Sequence, residues 1–250
     1  MTLEFFGETW LSYWRKDNPE KIVKYFSETD EAYLKDGSFK FGSLISYRKG
    51  ETHRTSEKKE GLVEKVSNLS TSTQTGTIDL GAVKSQGCFG MEYHNIKTTS
   101  DFNEMVFCSS IGPYSETHHR DMLTKNPDCT HYAQIDTEKF VRTLSSIIIE
   151  DPSFIKADKN VNLVFGEIVY GKVASVEEIV PDKYGNYVSP PIKPADLLKI
   201  VFTKPNGYEH EKEFRILIRK NALDFPPIDQ EQLIVTDSRL ASCIDFFGKI

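Results

Sequence analysis

The most regular alternation of apolar and polar positions lies in the segment 208–218, near the C-terminal end of the chain. From Phe214 to Ile218 every second residue is a large apolar one, and Arg215 separates the first two. This period of two predicts a β-strand, because side chains two residues apart lie on the same face of a strand. The Pro-Asn-Gly sequence at 205–207 predicts the turn that precedes it.

Three carboxylates extend this alternation toward the turn. Glu209, Glu211 and Glu213 are spaced two apart, so a continuous strand would place them on one face together with Arg215. One interpretation is a solvated strand end with alternating salt bridges. The other is a catalytic Glu-x-Glu pair at the edge of a cleft.

Elsewhere the pattern predicts one long helix and several short strands. Apolar residues recur at helical spacing over 137–150, with Asp136 as the N-cap and Asp151-Pro152 as the end. The segment 200–204 predicts a strand that pairs with 213–218 as a hairpin. Further strands are predicted at 21–26, 39–44, 105–110, 163–173 and 233–235.

The remaining segments predict shorter elements. Residues 27–36 predict a short helix that ends at Gly37, and 240–247 predicts another after a strand. Aromatic residues at helical spacing over 4–17 predict an N-terminal helix that packs on the body or binds a partner. The Ser/Thr-rich segment 67–85 is compatible with a β-hairpin or with a flexible loop.

Many short strands and few helices favour a single α+β domain with largely antiparallel pairing. The sequence contains no internal repeat and no linker rich in Gly, Pro or Ser. We therefore expect one domain over 1–250, with an aromatic helix at 1–20, a core at 21–220 and a C-terminal strand and helix at 221–250.

Composition narrows the class of protein. Hydrophobic residues make up 38% of the chain, charged residues 27%, and the formal net charge is −6, which argues against broad nucleic-acid binding through net charge. The four cysteines include no Cys-x-x-Cys pair, as is typical of reduced thiols in a cytosolic protein. No signal-peptide pattern and no apolar run of 18 residues occur, so we expect a cytoplasmic protein that does not enter a membrane.

A polar, charged segment at 47–61 is bounded by glycines. It brings Arg48 and Arg54 close to Tyr47 and His53 in the sequence. The segment is either an exposed loop or a loop that binds an anion, because the guanidinium group suits two-pronged contact with phosphate.

Four short blocks give the chain a resemblance to a known class. They are Lys24-Tyr25-Phe26, Phe41-Gly42-Ser43-Leu44 followed by Tyr47-Arg48, Phe107-Cys108-Ser109-Ser110, and Tyr208 with Glu211, Glu213, Phe214 and Arg215. Their order resembles a group of prokaryotic and phage-encoded proteins of the abortive-infection type, which looks related to ADP-ribosyltransferase toxins. The resemblance spans about residues 21–220.

This resemblance implies an antiparallel or mixed, split β-sheet and a site that uses NAD. The late glutamate of that superfamily corresponds to Glu213, with Glu211 completing Glu-x-Glu. The early arginine corresponds to Arg48 or Arg54.

The middle Ser or Tyr motif of the superfamily has several rival matches. Ser70-Thr71-Ser72 resembles the motif of one branch, and Tyr25, Ser43 and Tyr47 are the other candidates. The implied cofactor-binding set is therefore Tyr25, Ser43, Tyr47, Arg48 and Arg54, in which a tyrosine stacks on nicotinamide and an arginine holds the pyrophosphate.

The implied chemistry is transfer of ADP-ribose from NAD to a protein or nucleic acid, in a toxin or phage-defence protein that acts with or without an antitoxin partner. In this scheme Glu213 stabilises the positive charge that develops on the ribose, and Glu211 deprotonates or orients the acceptor. Two alternatives remain. One is a non-catalytic binding or inhibitor module, and the other is a metal-dependent nuclease built on Asp36, Glu57 and Lys59.

Overall fold

The computed structural model describes residues 4–6, 18–49, 62–79, 84–101, 104–151, 161–171, 175–178, 187–188, 201–220 and 230–250. The strands are β1 Glu4–Phe6, β2 Lys21–Phe26, β3 Ser38–Ser43, β4 Leu62–Asp79, β5 Lys84–Asp101, β6 Met105–Ile111, β7 His131–Asp136, β8 Val161–Glu167, β9 Val169–Tyr170, β10 Ser175–Glu178, β11 Tyr187–Val188, β12 Thr203–Lys204, β13 Glu213–Lys220, β14 Gln232–Thr236 and β15 Ile244–Lys249. The helices are α1 Glu31–Lys35, α2 Leu44–Lys49, α3 Glu116–Lys125, α4 Thr137–Glu150 and α5 Ser238–Ala241, with 3-10 turns at Glu28–Asp30 and Glu209–Glu211.

Nine of the described strands form one sheet, in the order β1-β8-β13-β6-β2-β7-β15, with β3 and β14 branching from β6. Every pairing in it is antiparallel. The α+β class with mainly antiparallel pairing is therefore confirmed. Strands from 1–20, 21–220 and 221–250 all join this sheet.

The sheet forks at β6. One edge of β6 pairs with β13 along its length, from Met105 to Ser110. The opposite edge is shared, because β2 pairs only with its last residues, Ser110 and Ile111, and β3 pairs only with its first two. The middle of β6 therefore faces a gap between two diverging strands.

One face of the sheet carries the main hydrophobic core. Helix α4 packs there, and its N-cap Asp136 accepts a hydrogen bond from the Lys139 backbone N–H at 2.9 Å, as the sequence predicts. Phe140 of α4 lies 4.7 Å from Phe39 and 5.5 Å from Phe107, measured between ring centroids. Tilted aromatic contacts of this kind fill the core without a polar atom.

The opposite face carries a smaller apolar cluster. Its members come from β6, β8, β13 and the chain around α2 and β12, and they are Leu44, Val106, Val164, Ile168, Val201, Phe202 and Leu217. Tyr47, Cys108 and Tyr170 pack against this cluster. Alternation along β6 and β13 thus assigns neighbouring residues to two different environments.

Two further sheets contain the remaining strands. Strands β4 and β5 pair as an antiparallel hairpin, which decides between the two structures considered for 67–85. Strands β10 and β11 add to β4 in parallel, and β12 pairs in parallel with β9.

The hairpin predicted between 200–204 and 213–218 is wrong. Lys204 pairs with Tyr170 in β9, while β13 lies between β6 and β8. The predicted continuous strand from 208 is also wrong, because Gly207 has φ +109° and Lys212 has φ +45°, and a 3-10 turn lies between them.

Two helix predictions need correction. Residues 4–6 form a strand instead of a helix, because they add to the free edge of β8, and 7–17 lie outside the described residues. The C-terminal helix stops at Ala241, and β15 pairs with the edge strand β7 instead. Helix α3 was not predicted, since it has no continuous apolar stripe.

Within the described residues, no helix combines the length and the apolar character needed to cross a bilayer.

Candidate functional site

The site is built on the face of β13 that points away from α4. Phe214 and Ile216 enter the main core, so Glu213 and Arg215 point to the opposite side. Both are nearly inaccessible, with Glu213 4% and Arg215 2% exposed. Arg215 Nε donates to Glu213 Oε1 at 2.6 Å, and Arg215 also donates to the Val201 carbonyl. A buried charge pair of this kind is stable only when both partners are present.

Lys204 brings a second cation to the same carboxylate. Its Nζ contacts Glu213 Oε2 and lies 2.7 Å from Glu211 Oε2. The parallel pairing of β12 with β9 fixes Lys204 in this position, where it is 5% exposed. Its ammonium group also lies 5.4 Å from the centre of the Tyr208 ring. Lys204 therefore links two glutamates and one aromatic ring.

The 3-10 turn presents Glu211 beside Glu213. The Gly207 N–H donates to Glu209 Oε2 at 2.6 Å, and the Glu211 N–H donates to the Tyr208 carbonyl at 2.9 Å. Lys212 then takes the left-handed conformation and its carbonyl accepts from Ile111 N–H at 2.7 Å. This anchors the turn to the end of β6 and directs Glu211 toward Lys204.

The two neighbouring glutamates have opposite pKa shifts. Burial alone would raise the pKa of Glu213, but Arg215 and Lys204 outweigh it and hold that pKa well below its usual range. Burial raises the pKa of Glu211, the negative charge of Glu213 adds to this, and Lys204 only partly opposes it. Glu213 is therefore ionised at neutral pH, whereas Glu211 takes up a proton more readily than an exposed glutamate does.

Tyr170 supports the start of β13. Its hydroxyl oxygen accepts a hydrogen bond from the Glu213 backbone N–H at 2.9 Å. Burial raises the pKa of Tyr170 to about 12, so its hydroxyl stays protonated near neutral pH.

Tyr47 and Cys108 form the uncharged part of the wall. Burial raises the pKa of both side chains, and the neighbouring Cys108 adds to the increase in the pKa of Tyr47. Cys108 therefore remains a thiol and is poorly suited to act as a nucleophile. Gly42 permits the close approach of Tyr47, since a Cβ at position 42 would lie 2.9–3.1 Å from three atoms of the Tyr47 side chain.

The fork in the sheet is bridged by a lysine. Lys24 Nζ donates to the Cys108 carbonyl at 2.8 Å, in the part of β6 that pairs with neither β2 nor β3. The same ammonium lies 5.0 Å from the centre of the Phe107 ring. Its neighbour Tyr25 is buried against the rings of His118 and His119, with centroids at 5.6 and 4.7 Å, and burial raises its pKa.

These groups surround one cavity of about 220 Å³. Its lining residues from this cluster are Lys24, Tyr25, Tyr47, Cys108, Lys204, Tyr208, His210, Glu211, Glu213 and Arg215, and Lys125, Asn126 and Cys129 line it as well. Four cations and two carboxylates line the space. After the ion pairs among Lys204, Arg215 and the glutamates are balanced, the lining retains two positive charges, on Lys24 and Lys125.

The structure brings together four of the residues implied by the resemblance, because Glu211, Glu213, Tyr25 and Tyr47 all line the cavity. Ser43 lies apart from it, fully buried, and its hydroxyl accepts a hydrogen bond from Ser46 N–H at 3.0 Å in the first turn of α2.

The two predicted arginines remain predictions as cofactor contacts. The backbone of Arg48 lies in α2, whereas Arg54 falls outside the described residues. Ser70-Thr71-Ser72 lies within β4.

Four further residues of the site had no assigned role in the sequence prediction: Lys204, Arg215, Tyr208 and Lys24. Arg215 had a signal, since the period of two already placed it on the same face as Glu213. Lys204 had none, because its partner strand β9 is distant in sequence and pairs with it in parallel.

No group of three or more Asp, Glu, His or Cys side chains in the described part of the chain is placed to hold a metal ion. For the nuclease alternative, Asp36 follows α1 as its C-cap, and Glu57 and Lys59 lie outside the described residues. Comparison of the chain with models of protein families, with curated proteins and with solved structures finds no match.

Proposed function

We propose that this protein is an ADP-ribosyltransferase-like enzyme that transfers ADP-ribose from NAD to a protein or nucleic acid. The observation that carries the proposal is the pair of adjacent glutamates on the wall of one cavity, with pKa values shifted in opposite directions. Two carboxylates separated in this way divide the work between an ionised stabiliser and a group that takes a proton.

Glu213 is the stabiliser. Its carboxylate is ionised throughout the neutral pH range and is held by Arg215 and Lys204, so it needs little reorganisation when positive charge develops on a ribose nearby. Breaking the bond between the ribose C1′ and the nicotinamide nitrogen creates such a charge, and the bonding electrons leave with nicotinamide.

Glu211 is the base. It is less deeply buried, with its side chain 23% exposed, and it lies next to Glu213 across Lys204. As the acceptor oxygen or nitrogen bonds to C1′, the proton of that acceptor passes to Glu211. With water as acceptor the same step gives hydrolysis of NAD.

Tyr25 and Tyr47 provide aromatic walls for the nicotinamide ring, and Arg48 or Arg54 remains the proposed contact of the pyrophosphate. The forked sheet supports the proposal as well, because the resemblance implies a split sheet. A toxin or phage-defence role rests on that resemblance alone.

The test is incubation of the pure protein with NAD labelled in its adenylate part and a lysate that contains protein, RNA and DNA. We expect label in one macromolecular fraction with the wild type and at least a hundredfold less with Glu211→Gln, a loss of the size typical of an acid–base group. Glu209→Gln is the matched control, because Glu209 belongs to the same turn, is exposed and accepts a hydrogen bond from the Gly207 backbone N–H. A wild-type protein that neither transfers label nor releases nicotinamide would contradict the proposal.

A non-catalytic binding module is the second candidate. The observation that favours it is that each oxygen of the Glu213 carboxylate already contacts a cation. In that case NAD or a related anion would bind without turnover, and Glu211→Gln would leave binding unchanged.

A further inference from the structure

The size of the cavity limits what it can hold. Sites that enclose a drug-sized ligand have volumes of roughly 300–1,000 Å³. The cavity here measures about 220 Å³, which is too small for a whole dinucleotide. It can therefore enclose at most one nucleotide half, with the remainder of a larger ligand lying outside.

The charges of the cavity favour an anion at a defined place. Glu213 is matched by Arg215 and Lys204, and Glu211 by Lys204. Lys24 and Lys125 line the same space. A phosphate group supplies the negative charge that these two ammonium groups complement.

Two contacts fix the position of the Lys24 ammonium group beside the cavity. The carbonyl of Cys108 takes one of its three donors at 2.8 Å, and the face of Phe107 lies 5.0 Å away. An ammonium group has three N–H donors, so two can contact a ligand without loss of the Cys108 bond. Lys125 lies in the last turn of α3, beside Asn126, which also lines the cavity.

We propose that the cavity recognises the nicotinamide mononucleotide half of NAD, with Lys24 and Lys125 on its phosphate. The choice of nicotinamide as the base rests on the proposed function, whereas the phosphate contact rests on the two lysines and the fork of the sheet. The adenylate half of the dinucleotide then lies outside this cavity.

The test is calorimetric titration of the full chain with nicotinamide mononucleotide, nicotinamide riboside and adenosine monophosphate. We expect the nicotinamide mononucleotide to bind at least about tenfold more tightly than the riboside, since charge-assisted hydrogen bonds to the phosphate are absent from the riboside. Lys24→Met and Lys125→Met should each lose about tenfold for the mononucleotide and leave the weak riboside binding unchanged. Lys21→Met, on the same strand but paired with Asp136 and Asp245, should behave as wild type.

Equal affinity for mononucleotide and riboside, or unchanged binding by both lysine variants, would overturn the phosphate site. Adenosine monophosphate binding as tightly as the nicotinamide mononucleotide would overturn the assignment of the base. If binding of the nicotinamide mononucleotide depends on the lysines but NAD is not turned over, the phosphate site is supported and the proposed enzyme activity is contradicted. If NAD is turned over but binding does not depend on the lysines, the enzyme activity is supported and the phosphate site is contradicted.

Discussion

The two faces of β6 and β13 are built from alternating residues of the same strands, yet they differ in chemistry. Toward α4 lie Phe107, Phe214 and Ile216, all buried in an apolar core. Away from α4 lie Glu213 and Arg215, equally buried but charged. The first face is stabilised by removal of apolar surface from water. The second face depends on each charge keeping its partner.

This difference shows where function is expected. A packed apolar face specifies the fold and offers no reactive group. A buried charged cluster is weak evidence for stability, because desolvation offsets most of the attraction between the charges. Its position on the wall of a cavity, with two perturbed carboxyls, is instead what an active site requires.

The largest expected effect comes from breaking the charged face. Glu213→Gln removes the negative charge that faces both Arg215 and Lys204 in a buried site, and we expect the free energy of unfolding at pH 7 to fall by about 3–5 kcal/mol. Urea denaturation measures it. Glu138→Gln is the control, because Glu138 forms an exposed pair with Arg142 at 2.8 Å and should cost below about 1 kcal/mol. An equal loss of unfolding free energy in both variants would contradict the expected difference between the buried and the exposed ion pair.

The apolar face should respond with a similar loss of stability but without loss of ligand binding. Phe140→Ala removes a ring that contacts Phe39 and Phe107, and we expect it to cost about 3–5 kcal/mol. Below its unfolding transition the variant should bind nicotinamide mononucleotide like wild type. Tyr33→Ala, at a residue 64% exposed, should stay within about 0.5 kcal/mol. A large loss of ligand affinity in Phe140→Ala would show that the two faces are not separable.

A smaller effect is expected where β3 meets the cavity wall. Gly42→Ala places a methyl group about 3 Å from the Tyr47 ring, so the ring must move, at a cost of about 1–3 kcal/mol. Ligand affinity should fall together with stability, which calorimetry and urea denaturation measure on the same sample. Gly171→Ala is the control, because a Cβ there meets no atom within 4 Å. Unchanged ligand affinity in Gly42→Ala would mean that Tyr47 is not a wall of the binding site.

The smallest effect concerns pH. The pKa of Glu211 is raised on folding, so its contribution to stability is present below the unfolded value of about 4.3 and is lost as pH rises through the folded value. The pKa of Glu213 is lowered, so its contribution has the opposite sign and is lost as pH falls below about 4.3. Glu211→Gln should therefore be at least as stable as wild type at pH 7, and any advantage should disappear toward pH 4. A Glu211→Gln variant less stable than wild type at pH 7 would contradict the assigned shift.

The sequence predicts those elements whose pattern is complete within a short segment. Helix α4 has its apolar spacing, its cap at Asp136 and its end at Asp151 in one stretch, and β6 and β13 carry clear apolar periods. The site was predicted in part for the same reason, since Glu213 and Arg215 share a face by alternation alone. The turn between Gly207 and Lys212 was missed because a positive φ at a lysine has no sequence signal.

Contacts between segments distant in sequence could not be predicted from the local pattern of apolar and polar residues. Lys204 reaches Glu213 only because β12 pairs with β9, and Lys24 reaches Cys108 only because β2 and β3 part at β6. The strand at Glu4–Phe6 is likewise stabilised by pairing with the edge of β8, which overrides a local helical pattern.

The most direct test of the account is the release of nicotinamide from NAD by wild type, Glu211→Gln and Glu209→Gln at pH 7, after urea denaturation has shown all three to be folded. We predict release by the wild type and by Glu209→Gln, and at least about a hundredfold slower release by Glu211→Gln. Equal rates in all three would remove Glu211 from the chemistry. No release by any of them, in the presence of lysate acceptors, would contradict the assignment of this cavity as an NAD-consuming site.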